Sequence, residues 1–403
     1  MSDWAETALG EVMALDIKAV DVEPDASYEI VGVLNRGRGL LYRDPMNGTA
    51  TSYKTLNRIG PGQVVYSRLK AFEGAITVAP ATLGSAYASQ EFPTFTCSGR
   101  LLPGFFALLT TMPRFWDTLQ NLSTGMGGRR ERVKPRDFLT IRVSLPPPGA
   151  QHRIVHLMAA VDAHVEALAD EIAKADALWW ALAAEMTEAF EGAETARLDS
   201  VADISGGLTK NRKGFEQPDL VEVPYLRVAN VLRRRLDLRE VATIKTTRAK
   251  AEALRLLPGD VLFNEGGDKD KLGRGDVWKG QIENCIHQNH VFRARITSRE
   301  FEPRFVSAWG NTFGRRWFET YGTQTTGIAS INKATLGRFP VPGVAIDAQR
   351  AWADRLDSVV GAHETLSGEL ADLRLFRSTL LSALVNREIE IPDSYGALLE
   401  AVS

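Results

Sequence analysis

The sequence predicts an α/β chain in which two mixed α/β domains alternate with two long helices that pair as an antiparallel coiled coil. Two observations support this class. Short motifs recur after about 197 residues, and each copy ends in a long heptad run of apolar residues. Solenoid repeats are only roughly 20–50 residues long. The spacing therefore indicates duplication of a domain-sized unit.

Four pairs of motifs define the duplication, and the members of each pair lie at matching places in the two halves. The pairs are residues 61–65 (PGQVV) with 258–262 (PGDVL), Tyr28 with Tyr225, residues 89–92 (SQEF) with 287–290 (HQNH), and Gln151 with Gln349. Two similar modules on one chain suggest a protein that recognises two similar targets at a fixed separation.

Residues 1–148 and 193–346 are predicted to form the two domains. Short β-rich segments bounded by Gly or Pro occur in both, at residues 28–33, 64–66, 75–78, 221–223, 260–263 and 290–296. Amphipathic helices are expected over residues 105–122 and 302–320. Long loops separate these elements, and loops of this kind usually carry function.

Residues 149–192 and 347–390 are predicted to form the two spacer helices, with residues 391–403 as a C-terminal tail. Pro- and Gly-rich segments mark the start of each helix. Apolar side chains then alternate at steps of four and three, which is a coiled-coil seam. The seam positions are Met158, Val161, Val165, Leu168 and Ile172 in the first helix and Leu356, Val359, Leu366, Leu370 and Leu373 in the second.

His363 and Arg377 interrupt the second seam. One explanation is that a polar group fixes the register of the pair at some cost in stability. The other is that the helix ends part and leave both residues in water. For Arg377 the second explanation is favoured.

The composition is that of an ordinary globular chain, with 403 residues, 44% hydrophobic. The sequence contains no apolar run long enough to span a bilayer, and its N-terminus lacks the pattern of a secretion signal. The two cysteines, Cys97 and Cys285, exclude a disulfide framework or a cysteine metal site. The six histidines lack metal-ligand spacing. We expect a cytoplasmic protein without a metal.

The net charge of −2 conceals a segregation of charge. Residues 151–192 carry 2 basic and 8 acidic side chains, and residues 349–390 carry 5 and 7. Residues 1–150 carry 16 basic and 14 acidic side chains, and residues 193–348 carry 25 and 19. Acidic helices thus separate two modestly basic domains, which fits a nucleic-acid partner. Acidic residues are equally typical of any solvated helix face.

Catalytic motifs are missing from the sequence. It has neither a GxxxxGK[ST] phosphate loop nor a GxSxG elbow, and it lacks the Asn/Asp-Pro-Pro-aromatic motif of amino-methyltransferases. Residues 264–275 are rich in Gly and charge, but without Walker spacing they are better interpreted as an exposed loop than as a nucleotide site. We expect a non-catalytic chain that holds no cofactor of its own.

Basic and polar loops point to DNA instead. Glycine beside Arg or Lys lets the backbone approach phosphates, and Arg, Asn and Gln can read base edges. A single surface run of Arg and Lys is more often simply solvated, but such runs recur in both domains. The candidate DNA-binding residues are Arg36, Arg38, Arg129, Arg130, Arg132, Lys134, Lys210, Asn211, Arg212, Lys213, Arg233, Arg234, Lys269, Lys271 and Arg274.

Motifs at the end of each domain resemble a known family. Residues 124–133 (TGMGGRRERV), 137–139 (DFL) and 145–155 (LPPPGAQHRIV) are similar to the end of a target-recognition domain in the specificity subunits of type I restriction–modification systems. The second copy comprises residues 325–333, 339–342 and 349–350, and it adds Asn332 and Lys333 to the candidate DNA-binding set. The resemblance covers essentially the whole chain in family order.

This resemblance implies two target-recognition domains, each reading one half of a bipartite, asymmetric site in double-stranded DNA, with the helices as a ruler between them. Two methyltransferase (modification) subunits would dock on the helices and bring S-adenosylmethionine. Motor–nuclease (restriction) subunits would join for cleavage, and no membrane would be involved. One departure from the family pattern is that the first domain lacks the opening loop present at residues 205–209 (SGGLT). Another is that the second helix start lacks the Pro-Pro pair and a clear Arg-Ile pair.

Two alternatives stay open on the sequence. One is a coiled-coil scaffold or adaptor of another multi-subunit defence complex, without direct base readout. The other is a self-sufficient methyltransferase or nuclease, for which activity of the isolated chain would be needed.

Overall fold

The computed structural model describes residues 4–123, 132–209, 219–325, 328–392 and 394–396, and the chain divides into two compact units. Unit 1 contains residues 1–168 and 369–403, and unit 2 contains residues 169–368. The unit boundaries fall inside the two long helices, whereas the sequence-based boundaries fall at the helix ends. Each unit therefore contains one globular part, the start of the helix that follows it, and the end of the other helix.

The first half of the chain forms short strands followed by helices. Its strands are β1 (Ala5–Ala8), β2 (Met13–Leu15), β3 (Lys18–Asp21), β4 (Ser27–Tyr28), β5 (Val31–Val33), β6 (Leu40–Tyr42), β7 (Met46–Asn47), β8 (Thr55–Ile59), β9 (Val64–Tyr66), β10 (Ile76–Val78), β11 (Ala86–Ala88), β12 (Thr94–Cys97) and β13 (Arg142–Leu145). Its helices are α1 (Pro103–Thr110), α2 (Pro113–Leu122), α3 (Pro135–Phe138) and the long α4 (Pro148–Ala189).

The second half repeats this plan. Its strands are β14 (Thr195–Arg197), β15 (Ala202–Ser205), β16 (Leu220–Leu226), β17 (Val231–Leu232), β18 (Arg235–Leu236), β19 (Ala242–Thr247), β20 (Asp260–Asn264), β21 (Gly266–Gly267), β22 (Gly275–Val277), β23 (Ile286–His287), β24 (Val291–Ile296), β25 (Thr323–Thr325), β26 (Ile328–Ser330) and β27 (Pro340–Pro342). Its helices are α5 (Leu198–Val201), α6 (Arg248–Ala253), α7 (Pro303–Asn311), α8 (Phe313–Tyr321), α9 (Lys333–Gly337) and the long α10 (Ile346–Val385).

Each unit contains a four-stranded antiparallel sheet with the same order of equivalent strands. The order is β10-β9-β12-β2 in unit 1 and β22-β20-β24-β15 in unit 2. Each unit also has a three-stranded sheet, but the two differ: β11-β8-β3 in unit 1 is antiparallel throughout, whereas in β19-β16-β23 of unit 2 the strands β16 and β23 are parallel. The duplication inferred from short motifs therefore extends to the topology of the four-stranded sheet, and the predicted α/β class is confirmed.

The repeated Pro-Gly motif forms the turn that leads into β9 and β20. Its glycine has a positive φ in both units, 70° and 93°, which glycine adopts without a steric penalty. The next side chain closes the turn, because Gln63 accepts a hydrogen bond from the Gly60 N–H and Asp260 accepts one from the Leu257 N–H, both at 2.7 Å. This geometry explains why the motif recurs with Gln in one copy and Asp in the other.

Two predicted amphipathic helices are each divided in the structure. Residues 105–122 belong to α1 and α2, and Pro113 occupies the start of α2. Proline has no N–H to continue the preceding helix but fits the first turn of a new one. Residues 302–320 belong to α7 and α8, and Thr312 between them has non-helical dihedrals, with φ −110° and ψ −90°.

The long helices pack against each other inside each unit, and the predicted seam residues Met158 and Leu356 take part. In unit 1, Met158 of α4 lies in the core with Leu381 and Leu384 of α10. In unit 2, Trp179 of α4 lies in the core with Leu356 of α10. All ten predicted seam side chains are buried or half-buried. Burial of these apolar side chains is the main contribution that stabilises a pair of long helices.

Arg377 is held by an ion pair within unit 1. Its Nε and one Nη donate to the two carboxylate oxygens of Asp162, the latter at 2.9 Å, and 21% of its side chain is exposed. Met158 lies four residues before Asp162 on α4, and Leu381 lies four residues after Arg377 on α10. Because Met158 and Leu381 share one core and Asp162 pairs with Arg377, the two helices are antiparallel in unit 1. The expectation that Arg377 is left in water is wrong, because the acidic partner on α4 compensates its charge.

Within the described ranges, no helix combines the length and the apolar character that a membrane-spanning segment needs.

Candidate nucleic-acid interface

Three segments of unit 1 meet at Arg68, just after β9. The Arg68 N–H donates to the carbonyl of Glu91 at 2.9 Å, and the Arg68 carbonyl accepts from the Val133 N–H at 3.2 Å. The end of β9, the segment after β11 and the segment before α3 are thereby fixed side by side. We call this arrangement the loop frame of unit 1.

Arg132 and Lys134 lie on the loop frame of unit 1. The Arg132 guanidinium donates to both carboxylate oxygens of Glu91, at 3.3 Å from Nε and 3.1 Å from Nη2. Lys134 is exposed. The candidates Arg129 and Arg130 fall outside the described residues. The described part of this surface thus combines one tethered arginine, its carboxylate partner and an exposed lysine.

The hairpin between β5 and β6 carries Arg36 and Arg38, and both side chains are exposed. The N–H groups of Arg36 and Gly37 donate to the carbonyls of Glu73 and Gly74, at 3.2 and 3.0 Å. A Cβ at Gly37 would lie 2.6 Å from the Thr110 carbonyl oxygen, so only glycine fits this close approach. The hairpin tip is therefore held against the segment that follows Arg68.

Unit 2 contains the same loop frame with different side chains. The Glu265 N–H donates to the His290 carbonyl at 3.0 Å, and the Glu265 carbonyl accepts from the Ile331 N–H at 2.8 Å. His290 Nδ1 lies 2.5 Å from a Glu265 carboxylate oxygen, and Asn289 Nδ2 lies 3.3 Å from His290 Nε2. The backbone hydrogen bonds match those of unit 1, whereas the side chains at equivalent positions differ in charge and chemistry.

The other candidates near the loop frame of unit 2 divide into exposed and internally paired side chains. Lys269 and Lys333 are exposed. Lys271 pairs with Asp268, and Asn332 caps α9 by accepting from the Thr335 N–H at 2.8 Å. Arg274 is half-buried, and burial lowers its pKa. Among these candidates, the exposed Lys269 and Lys333 are therefore the cations most accessible to a phosphate.

Arg233 and Arg234, two of the candidate DNA-binding residues, are half-buried and contact other residues of unit 2. The Arg234 guanidinium lies 4.2 Å from the centre of the Trp179 ring and 2.5 Å from Asp176 Oδ1. Arg233 donates to the carbonyls of Asn311 and Asp270, at 2.9 and 2.6 Å. Burial, followed by the charges of neighbouring arginines, lowers the pKa of Arg233 to about 10. Arg235, the third residue of the run, is exposed.

The opening loop at residues 205–209 packs against the segment that contains His290. The Leu208 N–H donates to the His287 carbonyl at 2.8 Å, and the Asn289 N–H donates to the Leu208 carbonyl at 3.1 Å. A Cβ at Gly207 would lie 2.0 Å from the His287 carbonyl oxygen, so glycine is required. The candidates Lys210, Asn211, Arg212 and Lys213 follow this loop and lie outside the described residues.

Sequence reasoning missed the side chains at the centres of the loop frames. Glu91, His290 and Asn289 belong to the repeated segment 89–92 and 287–290, which marks the duplication without indicating a function. Arg68 and Glu265 lie at the ends of equivalent strands. Comparison of the two copies of the motif could have drawn attention to these segments, but the pairing of Glu91 with His290 follows only from the backbone hydrogen bonds.

The described residues contain no group of three or more His, Cys, Asp or Glu side chains that could hold a metal ion. His287 is fully buried, with Nδ1 2.7 Å from the Val291 carbonyl oxygen. Burial lowers the pKa of His287 to about 4. We assign it to the core, where it is neutral.

The fold and its two matched loop frames define a protein with two equivalent surface sites on a duplicated scaffold. No protein-family model matches the chain. A curated protein of Methanocaldococcus jannaschii, which carries the name of a type I restriction enzyme MjaX specificity subunit, is 19% identical over 208 residues. The match covers 51% of this chain and 48% of that protein, so it spans about half the length of the relative.

Two solved structures have the same fold. A chain from a structure concerned with assembly and conformational transition of the type I R–M system has a TM-score of 0.60 and 16% identity, and the match covers 95% of this chain and 97% of that one. The S subunit of a type I restriction–modification system from M. genitalium has a TM-score of 0.53 and 13% identity, with coverage of 95% and 96%. The resemblance to type I specificity subunits is therefore confirmed in fold.

Proposed function

We propose that the chain is the DNA-specificity subunit of a type I restriction–modification system, in which each unit reads one half of a bipartite, asymmetric site. One observation carries the proposal: the two loop frames share their backbone hydrogen bonds but differ in their side chains. A common frame with divergent surfaces suits a protein that reads two unlike sequences in the same way. The similarity to type I specificity subunits supports this assignment.

Contacts to phosphates and contacts to bases have separate roles in this proposal. Exposed cations such as Arg36, Arg38, Lys134, Lys269 and Lys333 would contact phosphates and position each unit on the duplex. The side chains at the centres of the loop frames would read base edges in the major groove. Arg233 and Arg234 are assigned to packing instead.

The long helices are the proposed ruler and docking platform. At 1.5 Å per residue, α4 and α10, with 42 and 40 residues, are each about 60 Å long. Their acidic outer faces are unsuited to DNA and are available for protein partners. Two methyltransferase subunits would bring S-adenosylmethionine and the adenine-methylating chemistry, and motor–nuclease subunits would add cleavage. The specificity subunit itself would contribute recognition.

A binding experiment tests the proposal. The full-length chain, alone and with the methyltransferase subunits of its own system, is incubated with a randomised duplex library, and bound sequences are enriched and sequenced at several salt concentrations. We expect one bipartite motif and an affinity that falls steeply with salt, since several phosphates are neutralised. Salt-insensitive binding, or enrichment without a motif, would overturn the proposal.

A coiled-coil scaffold without base readout is less favoured. It accounts for the paired helices, but it gives no reason for two matched loop frames that carry different polar side chains. In the same experiment the scaffold would bind the methyltransferase subunits and show no preference among duplexes.

A further inference from the structure

We propose that Arg132 in unit 1 and Glu265 in unit 2 are specificity-determining residues that read different bases. Arg132 is assigned to guanine, and Glu265 to a base with an exocyclic amino group in the major groove, cytosine or adenine. This inference rests on the proposed function, because it requires that both loop frames face DNA.

Equivalent positions of the two loop frames carry opposite chemistry. Arg68 in unit 1 corresponds to Glu265 in unit 2, since each donates and accepts the same two backbone hydrogen bonds. The motif alignment pairs Glu91 with Asn289, but the carbonyl that accepts this backbone hydrogen bond belongs to Glu91 in unit 1 and to the next residue, His290, in unit 2. The carboxylate thus lies on the segment after β11 in unit 1 and on the segment after β20 in unit 2, whereas the two backbone hydrogen bonds of the frame are the same.

Arg132 is suited to guanine because Glu91 holds its guanidinium in one orientation. The bidentate pair uses two of the five N–H donors of arginine, and 38% of the Arg132 side chain is exposed. The remaining donors have the fork geometry that matches guanine O6 and N7. An untethered arginine would be free to follow phosphates, so Glu91 acts as a positioning residue that favours base readout.

Glu265 is suited to an amino group because its carboxylate accepts hydrogen bonds and cannot donate them. A carboxylate close to the phosphates is repelled, so its presence weakens binding unless a base donates to it. Cytosine N4 is the characteristic donor to Glu or Asp in the major groove, and adenine N6 presents the same group. His290 contacts one carboxylate oxygen, and we assign the second oxygen to the base.

The test compares base preferences of variants in the full-length chain, in complex with the methyltransferase subunits, on a randomised duplex library. Arg132→Ala should reduce the preference for guanine at one position of one half-site by roughly 5- to 150-fold. Glu265→Ala should reduce the preference for cytosine or adenine at one position of the other half-site by a similar factor. Each variant leaves the half-site read by the other unit unchanged.

Matched controls separate readout from charge and from folding. Arg58→Ala and Glu240→Ala remove exposed side chains of the same types in the same units, and they should leave all base preferences unchanged. Glu91→Ala should weaken the guanine preference while binding to random duplex stays equal or becomes tighter, because the freed Arg132 can follow phosphates. Glu91→Asp should retain part of the preference. A purely structural role of Glu91 would instead weaken binding to every sequence.

The outcomes distinguish this inference from the function on which it rests. If the wild-type complex enriches a bipartite motif but Arg132→Ala and Glu265→Ala keep every base preference, the inference is overturned and the proposed function stands. If the wild-type complex enriches no motif, both are overturned. Should an alanine variant lose its thermal transition, Arg132→Met and Glu265→Met, which keep a long side chain but cannot make these hydrogen bonds to a base, decide the question by the same readout.

Discussion

Gln151 and Gln349 occupy the same buried position in their respective units and make the same three hydrogen bonds. Each side-chain oxygen accepts one backbone N–H, and each side-chain nitrogen donates to two backbone carbonyls. The partners of Gln151 are Leu102 N, Arg100 O and Pro146 O, all at 2.8 Å; those of Gln349 are Glu302 N, Glu300 O and Val344 O, at 3.0, 2.8 and 2.7 Å. Each glutamine thus fixes the start of a long helix to the globular part of its own unit.

Replacement of either glutamine by leucine should be strongly destabilising. Gln151→Leu removes three hydrogen bonds and leaves buried backbone groups without partners, at a cost of about 3 kcal/mol or more in the free energy of unfolding. Hydrogen exchange measured during urea unfolding should show the lower stability in unit 1 for Gln151→Leu. The same measurement should show it in unit 2 for Gln349→Leu. Gln120→Leu, at an exposed position of α2, is the control and should change stability by less than about 0.5 kcal/mol.

The Asp162–Arg377 pair should show coupling in a double-mutant cycle. Asp162→Ala leaves a half-buried guanidinium in the seam without its carboxylate and should cost about 1–3 kcal/mol. Arg377→Leu continues the apolar seam and should be neutral or stabilising. Urea midpoints of the two single variants and the double variant check this. Strictly additive effects would mean that the pair does not interact.

His287 should make unit 2 less stable in mild acid. Its folded-state pKa of about 4 lies below the ordinary value of 6.5, so the unfolded chain binds more protons between these values. Stability is complete above pH 6.5 and declines as the pH falls toward 4, with a loss of about 2 kcal/mol at pH 5 relative to pH 7.5.

The comparison with His287→Asn isolates the histidine contribution. Asparagine keeps a donor near the position of Nδ1 but does not titrate in this range, and other titrating groups such as Asp276 are common to both proteins. Urea midpoints measured from pH 7.5 to 5 should therefore fall more steeply for the wild type. Parallel pH profiles would show that His287 does not titrate as its burial implies.

Arg234 and Lys333 should behave differently even though both are basic residues of unit 2. Arg234→Ala loses the contact with Trp179 and the ion pair with Asp176, so it should lower the thermal stability of the unit by about 1–3 kcal/mol. Lys333→Ala should leave stability unchanged and reduce the slope of log affinity against log salt by about 1. A change in salt slope for Arg234→Ala, without a stability loss, would reverse the two assignments.

Much of the scaffold could be predicted from the sequence, because it depends on periodic or repeated signals. The heptad seam through Met158 and Leu356, the helix starts and the duplicated Pro-Gly turn all have local physical causes. Pro113 also indicates a helix start, although the amphipathic pattern continues across it. The environment of Arg377 is not predictable from the sequence, because its partner Asp162 lies 215 residues away, on the other helix.

The candidate site was less predictable, since it is assembled from segments distant in sequence. A run such as residues 233–235 looks uniformly exposed, yet Arg234 packs on Trp179, and no local pattern indicates that contact. Glu91 and Glu265 give no signal of DNA contact in the sequence, because the negative phosphates favour cations at a DNA interface. Their importance becomes apparent only when the backbone hydrogen bonds of the two loop frames are compared.

The most direct test of the central claim is to map methylated adenines in cells that carry this chain with its methyltransferase subunits, in the wild type and with four residues inserted after Ala175. The insertion lengthens α4 by about 6 Å. We predict one bipartite, asymmetric motif in the wild type, and in the variant the same two half-sites separated by a different gap. Altered half-sites with an unchanged gap, or methylation without a bipartite motif, would contradict the account.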